Sequence, residues 1–312
     1  MNATKTPFFH GKRRVWLLVA ILLVAAVLAV VIPLTLLHAY QQNPATGSTG
    51  PRSFAVGSDA LLALKEQGGN ISVFPSNTNT ITVQPRAHGT IVAPNPQNVR
   101  ILYSRTLTAQ GHDQINVTTD PWFSDIDFYI TIPASAVVQI TISEGSIDVH
   151  TGHGLTASTS SGSIALDSIQ GPTNVHTESG DVTANGITGP LTIEDQSGSI
   201  SIQHIMGQVQ ARTSSGDVTA SDSALSGQSM LQTQHGSVHL SGSIDPRGSY
   251  NLQTTSGDIE ATLPADAAFS LEASTTSGTI QNAFGSTTVG AAPRAQLSIH
   301  TQSGSIIIAK AA

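Results

Sequence analysis

Ala211-Arg212-Thr213-Ser214-Ser215-Gly216-Asp217-Val218-Thr219-Ala220 places apolar residues at 211, 218 and 220, polar ones between them, and a Ser-Gly-Asp turn at the centre. Period-two alternation on both sides of a turn glycine describes two half-buried strands meeting at a corner. The pattern recurs. A Gly followed two residues later by Ile or Val stands at 145, 162, 180, 198, 216, 236, 257, 278 and 304, at intervals of 17 to 26 residues.

Alignment on that glycine makes columns. Two residues after it stand Ile147, Ile164, Val182, Ile200, Val218, Val238, Ile259, Ile280 and Ile306. Five before it stand Ile140, Ala157, Val175, Ile193, Ala211, Leu231, Leu252, Ala273 and Ile299. A coil of about 18–21 residues cannot bury its apolar side alone, whereas stacked coils can, each pairing with the next at about 4.8 Å. The sequence therefore predicts an all-β fold, a β-solenoid of nine successive coils about 43 Å long. Gly at each corner permits a positive φ, at Gly198 and Gly216 among others. Three residues before the glycine the column is mostly Thr (159, 177, 213, 233, 254, 275 and 301). These hydroxyls are expected to point inward and satisfy backbone groups at the turn.

Ahead of the regular coils (141–312) lies a less regular stretch, 54–140. Leu62, Leu64, Gly69, Ile71 and Val73 keep the repeat's offsets, and Ile126, Phe128, Ile130 and Ile132 alternate up to Pro133. Wider or broken coils are expected here, covering an end that would otherwise expose a strand edge.

Further toward the N-terminus the chemistry changes. Residues 1–14 carry Lys5, Lys12, Arg13 and Arg14 and no acid, and 15–37 carry no charge. The uncharged run is long enough to cross a bilayer as a helix. It exceeds the 7–15 residues of a signal-peptide core, and Leu37-His38-Ala39 puts a bulky residue at the first position of a cleavage site. We therefore expect an uncleaved transmembrane helix at 15–37 with a cytoplasmic tail at 1–14. A Gly/Pro/Ser/Thr-rich linker follows at 38–53. Everything beyond it is expected to be extracytoplasmic.

Only 11% of residues are charged, against roughly 25% in an average soluble domain. Cys is absent, which excludes disulfides, cysteine zinc sites and a cysteine nucleophile. Nine of the 13 bases and all 20 acids follow the apolar span, a net charge of −11 outside the membrane. Such a domain repels nucleic acid, so no nucleic-acid partner is expected. The expected partners are the membrane, through the single-pass anchor, and a cell-surface polysaccharide or envelope protein.

No catalytic motif is present: Gly-x-Ser-x-Gly, Ser-x-x-Lys, His-Glu-x-x-His and a phosphate-binding Gly loop are all missing. Neither catalytic residues nor a cofactor are expected. Asp181, Asp217 and Asp258 share the column after the glycine, about 9.6 Å apart on alternate coils, near the upper limit for an inverting glycosidase pair. Ser199 and Ser237 separate them and no long loop roofs that column, so they read as turn residues. Asp148, His150 and Asp167 form the one group placed to hold a divalent ion, weakly. His176, Glu194 and Arg212 are expected to form an outward charge ladder. Trp122 and Phe123, beside Phe128 and Tyr129, are expected to plug the irregular end; the alternative is stacking on sugars, which the turn at Asp120-Pro121 just before Trp122 leaves open.

The export anchor, the strand-rich start, Ile130-Thr131-Ile132-Pro133 and the Ser-Gly-Ser/Asp-Ile/Val coils resemble the bacterial "putative adhesin" β-strand-repeat family over about Phe54 to Ala309. The resemblance implies a cell-envelope β-solenoid and transfers no site residue. Function is therefore expected to be non-catalytic adhesion or binding at the envelope. The alternatives are an accessory role in envelope-stress signalling and, third, a polysaccharide-degrading β-helix enzyme.

Overall fold

The structure, a computed structural model, describes residues 50–87, 101–119 and 126–311. These belong to one compact unit, Ala45–Ala312. The expected span at 15–37, and Trp122 and Phe123, lie outside the described residues. Among the described residues no helix is long and apolar enough to cross a membrane, and every regular element is a strand.

Two sheets, of 14 and 13 strands among the described residues, share one continuous apolar core. All but one of the coils contribute one strand to the thirteen-stranded sheet, turn at a glycine, and contribute one to the other. Leu191–Asp195, Gly198 and Ile200–Gln203 make one such coil. It stacks in register on the next, Ile193 against Ala211 and Ile200 against Val218. Parallel stacking brings like onto like, so the Ile and Val columns of the sequence become continuous buried rows. Each such side chain contributes about 1.5–3 kcal/mol on burial.

The coils do not stack in sequence order. From one end to the other the corners run Gly69, Gly145, Gly162, Gly180, Gly198, Gly216, Gly236, Gly257, Gly304, Gly278, each set on the backbone of the one before it. At the far end, Ala295–Ser303 inserts between Ser249–Ser256 and Phe269–Ser277, and Ile306–Lys310 between Ile259–Leu263 and Ile280–Asn282. At the near end a coil without a corner glycine, Asp113–Thr119 with Ile126–Pro133, lies outside the Gly69 coil although it follows it in the chain. The nine coils expected from Gly145 to Gly304 are present, two further coils come from 54–140, and the expected sequential order is broken by one transposition at each end. The final strand is paired on both sides, which ties the chain's last residues into the sheet.

Antiparallel strands finish the ends. Arg52–Ala55 pairs with Thr80–Ala87, which pairs with Ile126–Pro133; Ile101–Leu107 closes on Asp113–Thr119. These strands lie over the end of the parallel stack, and Arg52–Ala55 and Ile101–Leu107 become the edge strands of the two sheets. Thr288–Val289 does the same, briefly, for Phe269–Ser277.

Three ladders hold the corner. The first is the close approach of glycines: a Cβ on Gly216 would overlap the carbonyl of Gly198, and one on Gly198 the carbonyl of Gly180. Gly216 also adopts φ +129°, but Gly198 lies outside the left-handed region. At Gly198 it is space rather than φ that excludes a side chain, which corrects the conformational expectation. The second ladder is the inward Thr column. The hydroxyls of Thr233, Thr254 and Thr275 donate to the carbonyls of Gly216, Gly236 and Gly304 at 2.8, 2.8 and 2.9 Å.

Two coils carry an acid in this column, and the Gly145 coil carries Ile142. Asp195 accepts from the Ser197 amide at 3.1 Å and from the Thr213 hydroxyl at 3.1 Å. Burial holds its carboxyl above the ordinary range against those hydrogen bonds. Glu66 is 4% exposed; no hydrogen bond of good geometry reaches its carboxyl oxygens among the described residues, although the Thr119 hydroxyl and the Gln67 and Gly68 amides lie near enough to oppose the effect of burial. Burial pushes its pKa up to about 7.

The third ladder runs outside. Amides of Ser199, Ser237 and Ser305 donate to Oδ1 of Asp181, Asp217 and Asp258 at 2.8, 2.7 and 2.7 Å. Near the other end Asn70 accepts from Ser146 through Oδ1 at 3.0 Å, and its own amide donates to Asp127 at 2.8 Å.

Candidate binding face

On Ile71–Ser76, Ile71 and Val73 point inward and Ser72 and Phe74 outward. The neighbouring strand Ile126–Pro133 buries Phe128 and Ile130 and turns Tyr129 outward. Register sets Ser72 between Tyr129 and Asp148. Phe74, two residues on from Ser72, is then a diagonal neighbour of Tyr129, within reach of a long side chain. Both rings are 37% exposed.

Charged and polar groups frame them. The His150 ring stacks on Phe74, centroids 5.0 Å apart and planes 11° from parallel. His150 Nε2 lies 3.0 Å from Asp148 Oδ2. The Arg86 guanidinium sits 4.6 Å from the centre of the Tyr129 ring, and Gln84 is paired with Tyr129 across the strands. A carboxylate, an imidazole, a guanidinium and two aromatic rings thus lie together on the outer face of one sheet. Such a set offers stacking surface for the apolar face of a sugar ring and donors and acceptors for its hydroxyls.

The residues singled out by sequence fall as follows. Asp148 and His150 are together, but Asp167 turns away to Asn185 Nδ2, at 2.8 Å, and the Ser168 hydroxyl, at 3.2 Å. Among the described residues no three His, Asp or Glu side chains converge as metal ligands. Asp181, Asp217 and Asp258 serve as acceptors for backbone amides, as described above. His176, Glu194 and Arg212 do share a row, yet no ion pair joins them among the described residues. Arg212 Nη2 lies instead 3.6 Å from the Met230 sulfur. Phe128 is a core residue at 1% exposure. Phe74 and Arg86 went unnoticed in the sequence, where the one available signal was the outward parity of Phe74 in a column otherwise of polar residues and alanine.

A parallel two-sheet solenoid with a glycine corner, an inner Thr ladder and an outer Ser/Asp ladder defines a class of extended repeat protein. The family model "Toastrack DUF4097" matches residues 62–245 and 243–309. The chain belongs to that family. Solved structures to which the chain is similar include a "putative cell adhesion protein" from Clostridium sporogenes ATCC 15579, at 10% identity and a TM-score of 0.23, covering 84% of this chain and 99% of that one. Another is a "putative adhesin" from Bacteroides fragilis NCTC 9343, at 12% identity and a TM-score of 0.35, covering 83% and 95%. No curated protein matches the chain.

Proposed function

We propose that this protein is a membrane-anchored, extracytoplasmic binding module of the bacterial cell envelope, non-catalytic, with Phe74, Tyr129, Arg86, Asp148 and His150 as its ligand-contacting face. The observation that carries the reading is the exposure of Phe74 and Tyr129 side by side on a sheet whose turn acids are engaged by backbone amides. Aromatic area of this kind beside unshielded polar groups fits a polysaccharide. The charge-free run at 15–37 and the basic tail before it support the anchor and its orientation.

Retention of the purified full chain on immobilised bacterial surface polysaccharides tests this. Phe74→Ala combined with Tyr129→Ala should abolish retention while shifting the melting temperature little, since both side chains stand outside the core. Undiminished retention by the double variant, or none by the unaltered chain, would refute it.

A further inference from the structure

The end of the solenoid formed by the Gly278 coil differs from the rest. Ile280 occupies the column two residues after the glycine. Its partner in register, Ile306, is fully buried, yet Ile280 is 44% exposed. In the same outermost coil Ala273 and Thr275 are only half-buried, where Ile299 and Thr301 beneath them are covered. Interior positions of the repeat therefore lie open at this end.

Its edge is open too. Ile280–Asn282 pairs with Ile306–Lys310 on one side and ends the sheet on the other. Ile306 donates to the Thr279 carbonyl and Ala283 to the Ile308 carbonyl, at 2.8 Å each. Alternation along the strand then turns the N–H and C=O of Ile280, and the N–H of Asn282, toward the open side. Natural edges are commonly guarded by charge. The edge strands at the opposite end carry Arg52 and Arg105. From Phe269 to Pro293, by contrast, Glu272 is the sole charged residue. A body with a net charge of −11 outside the membrane span repels its own copies over most of its surface, whereas this end carries few charges, Glu272 in the coil and Lys310 over the Phe284 ring.

We infer that this end is an interface for a second copy of the chain, joined tail to tail about a two-fold axis through Gln281. Antiparallel pairing about that axis sets Ile280 opposite the second copy's Asn282, and Asn282 opposite its Ile280. Each such pair exchanges two backbone hydrogen bonds, the Asn282 carbonyl using its second lone pair beside the bond to Gly285. The same dyad brings the two Ile280 side chains together and closes the open column. An isologous contact of this kind ends at two copies and builds no fibre.

Gln281 would face its own symmetry mate at a non-hydrogen-bonded position, with Cα atoms about 4.5 Å apart, inside the range for a disulfide. The chain has no cysteine of its own, so Gln281→Cys in the full chain, purified in detergent, is a clean probe. Mild oxidation should give covalent dimer roughly tenfold or more faster than Leu102→Cys on the opposite edge, because pairing raises the local thiol concentration. Adding Ile280→Lys to Gln281→Cys should remove that advantage and leave the melting temperature nearly unchanged. Equal rates for Gln281→Cys and Leu102→Cys, or a rate indifferent to Ile280→Lys, would overturn the inference.

Discussion

Asp217 accepts, through Oδ1, a 2.7 Å hydrogen bond from the amide of Ser237 one coil further along the stack. The bond explains why acids alternate with serines in this column better than charge repulsion alone. A carboxylate reaches the amide above it, and the small Ser leaves that amide accessible. Asp217→Ala should cost about 1 kcal/mol by removing the acceptor. Asp217→Asn, which keeps one, should cost less. Urea unfolding of the two variants measures the difference; equal losses would assign the effect to charge and not to the hydrogen bond.

Inward and outward columns make a sharper pair. Ile200 is buried and packs in register between Val182 and Val218, whereas its neighbour Ser201 faces outward and is half-buried. Ile200→Asp should lose about 3 kcal/mol or more, since an unpaired charge enters a row with no polar partner. Ser201→Asp should lose less than about 1 kcal/mol. Equal melting-point shifts would contradict the side-chain parity on which the fold rests.

That parity was legible in the sequence because burial imposes it on every coil separately: the residues at 182, 200 and 218 each report the same constraint. Stacking order was not legible. A Ser-Gly-x-Ile motif announces a corner, but each corner offers the same amides and carbonyls to its neighbours. Gly257 can therefore receive the Gly304 coil as readily as the Gly278 coil. The face with Phe74 and Tyr129 was hidden for a different reason. Nothing in the alternation distinguishes an outward ring that stays exposed from one covered by another segment.

Corner glycines answer to two separate constraints, which substitutions can divide. Gly111 has φ +84° with open space around its Cβ position; Gly216 has φ +129° and the Gly198 carbonyl in the way. Gly198 meets only the second obstacle. Gly111→Ala should cost about 1 kcal/mol of backbone strain. Gly216→Ala and Gly198→Ala should each cost about 3 kcal/mol or more, because two stacked coils must move apart. Comparable losses at Gly198 and Gly111 would show that the corner yields easily and that the close approach is not a constraint.

Glu66 makes stability depend on pH. Its ordinary pKa of 4.5 rises to about 7 in the fold, so the folded state holds the proton over an interval in which the unfolded chain releases it. The stabilisation is complete below about pH 4.5 and is lost as pH rises through 7, by on the order of 3 kcal/mol at most. The raised carboxyl of Asp195 acts in the same direction. Glu66→Gln should therefore match the unaltered chain at pH 4.5 and melt several degrees higher at pH 8. If the two curves stay parallel from pH 4.5 to 8, Glu66 is ionised without cost and its burial has been compensated.

The proposed anchor and its orientation rest on charge next to an apolar run, and each can be tested separately. Lys12, Arg13 and Arg14 directly precede the uncharged stretch 15–37, and basic residues on the short flank hold that flank in the cytoplasm. A reporter active only outside the cytoplasm, fused after Tyr40, should therefore be active, and the full-length protein should stay in the membrane fraction through a carbonate wash. Replacing all three bases by Gln leaves Lys5 alone on that side. It should lower the fraction of correctly oriented chains without releasing protein from the membrane, since insertion is driven by the apolar run rather than by the flank. A soluble mature form beginning near Gln41 would show that the segment is a cleaved signal. A membrane-bound chain with the reporter silent would show that the basic flank does not set the orientation.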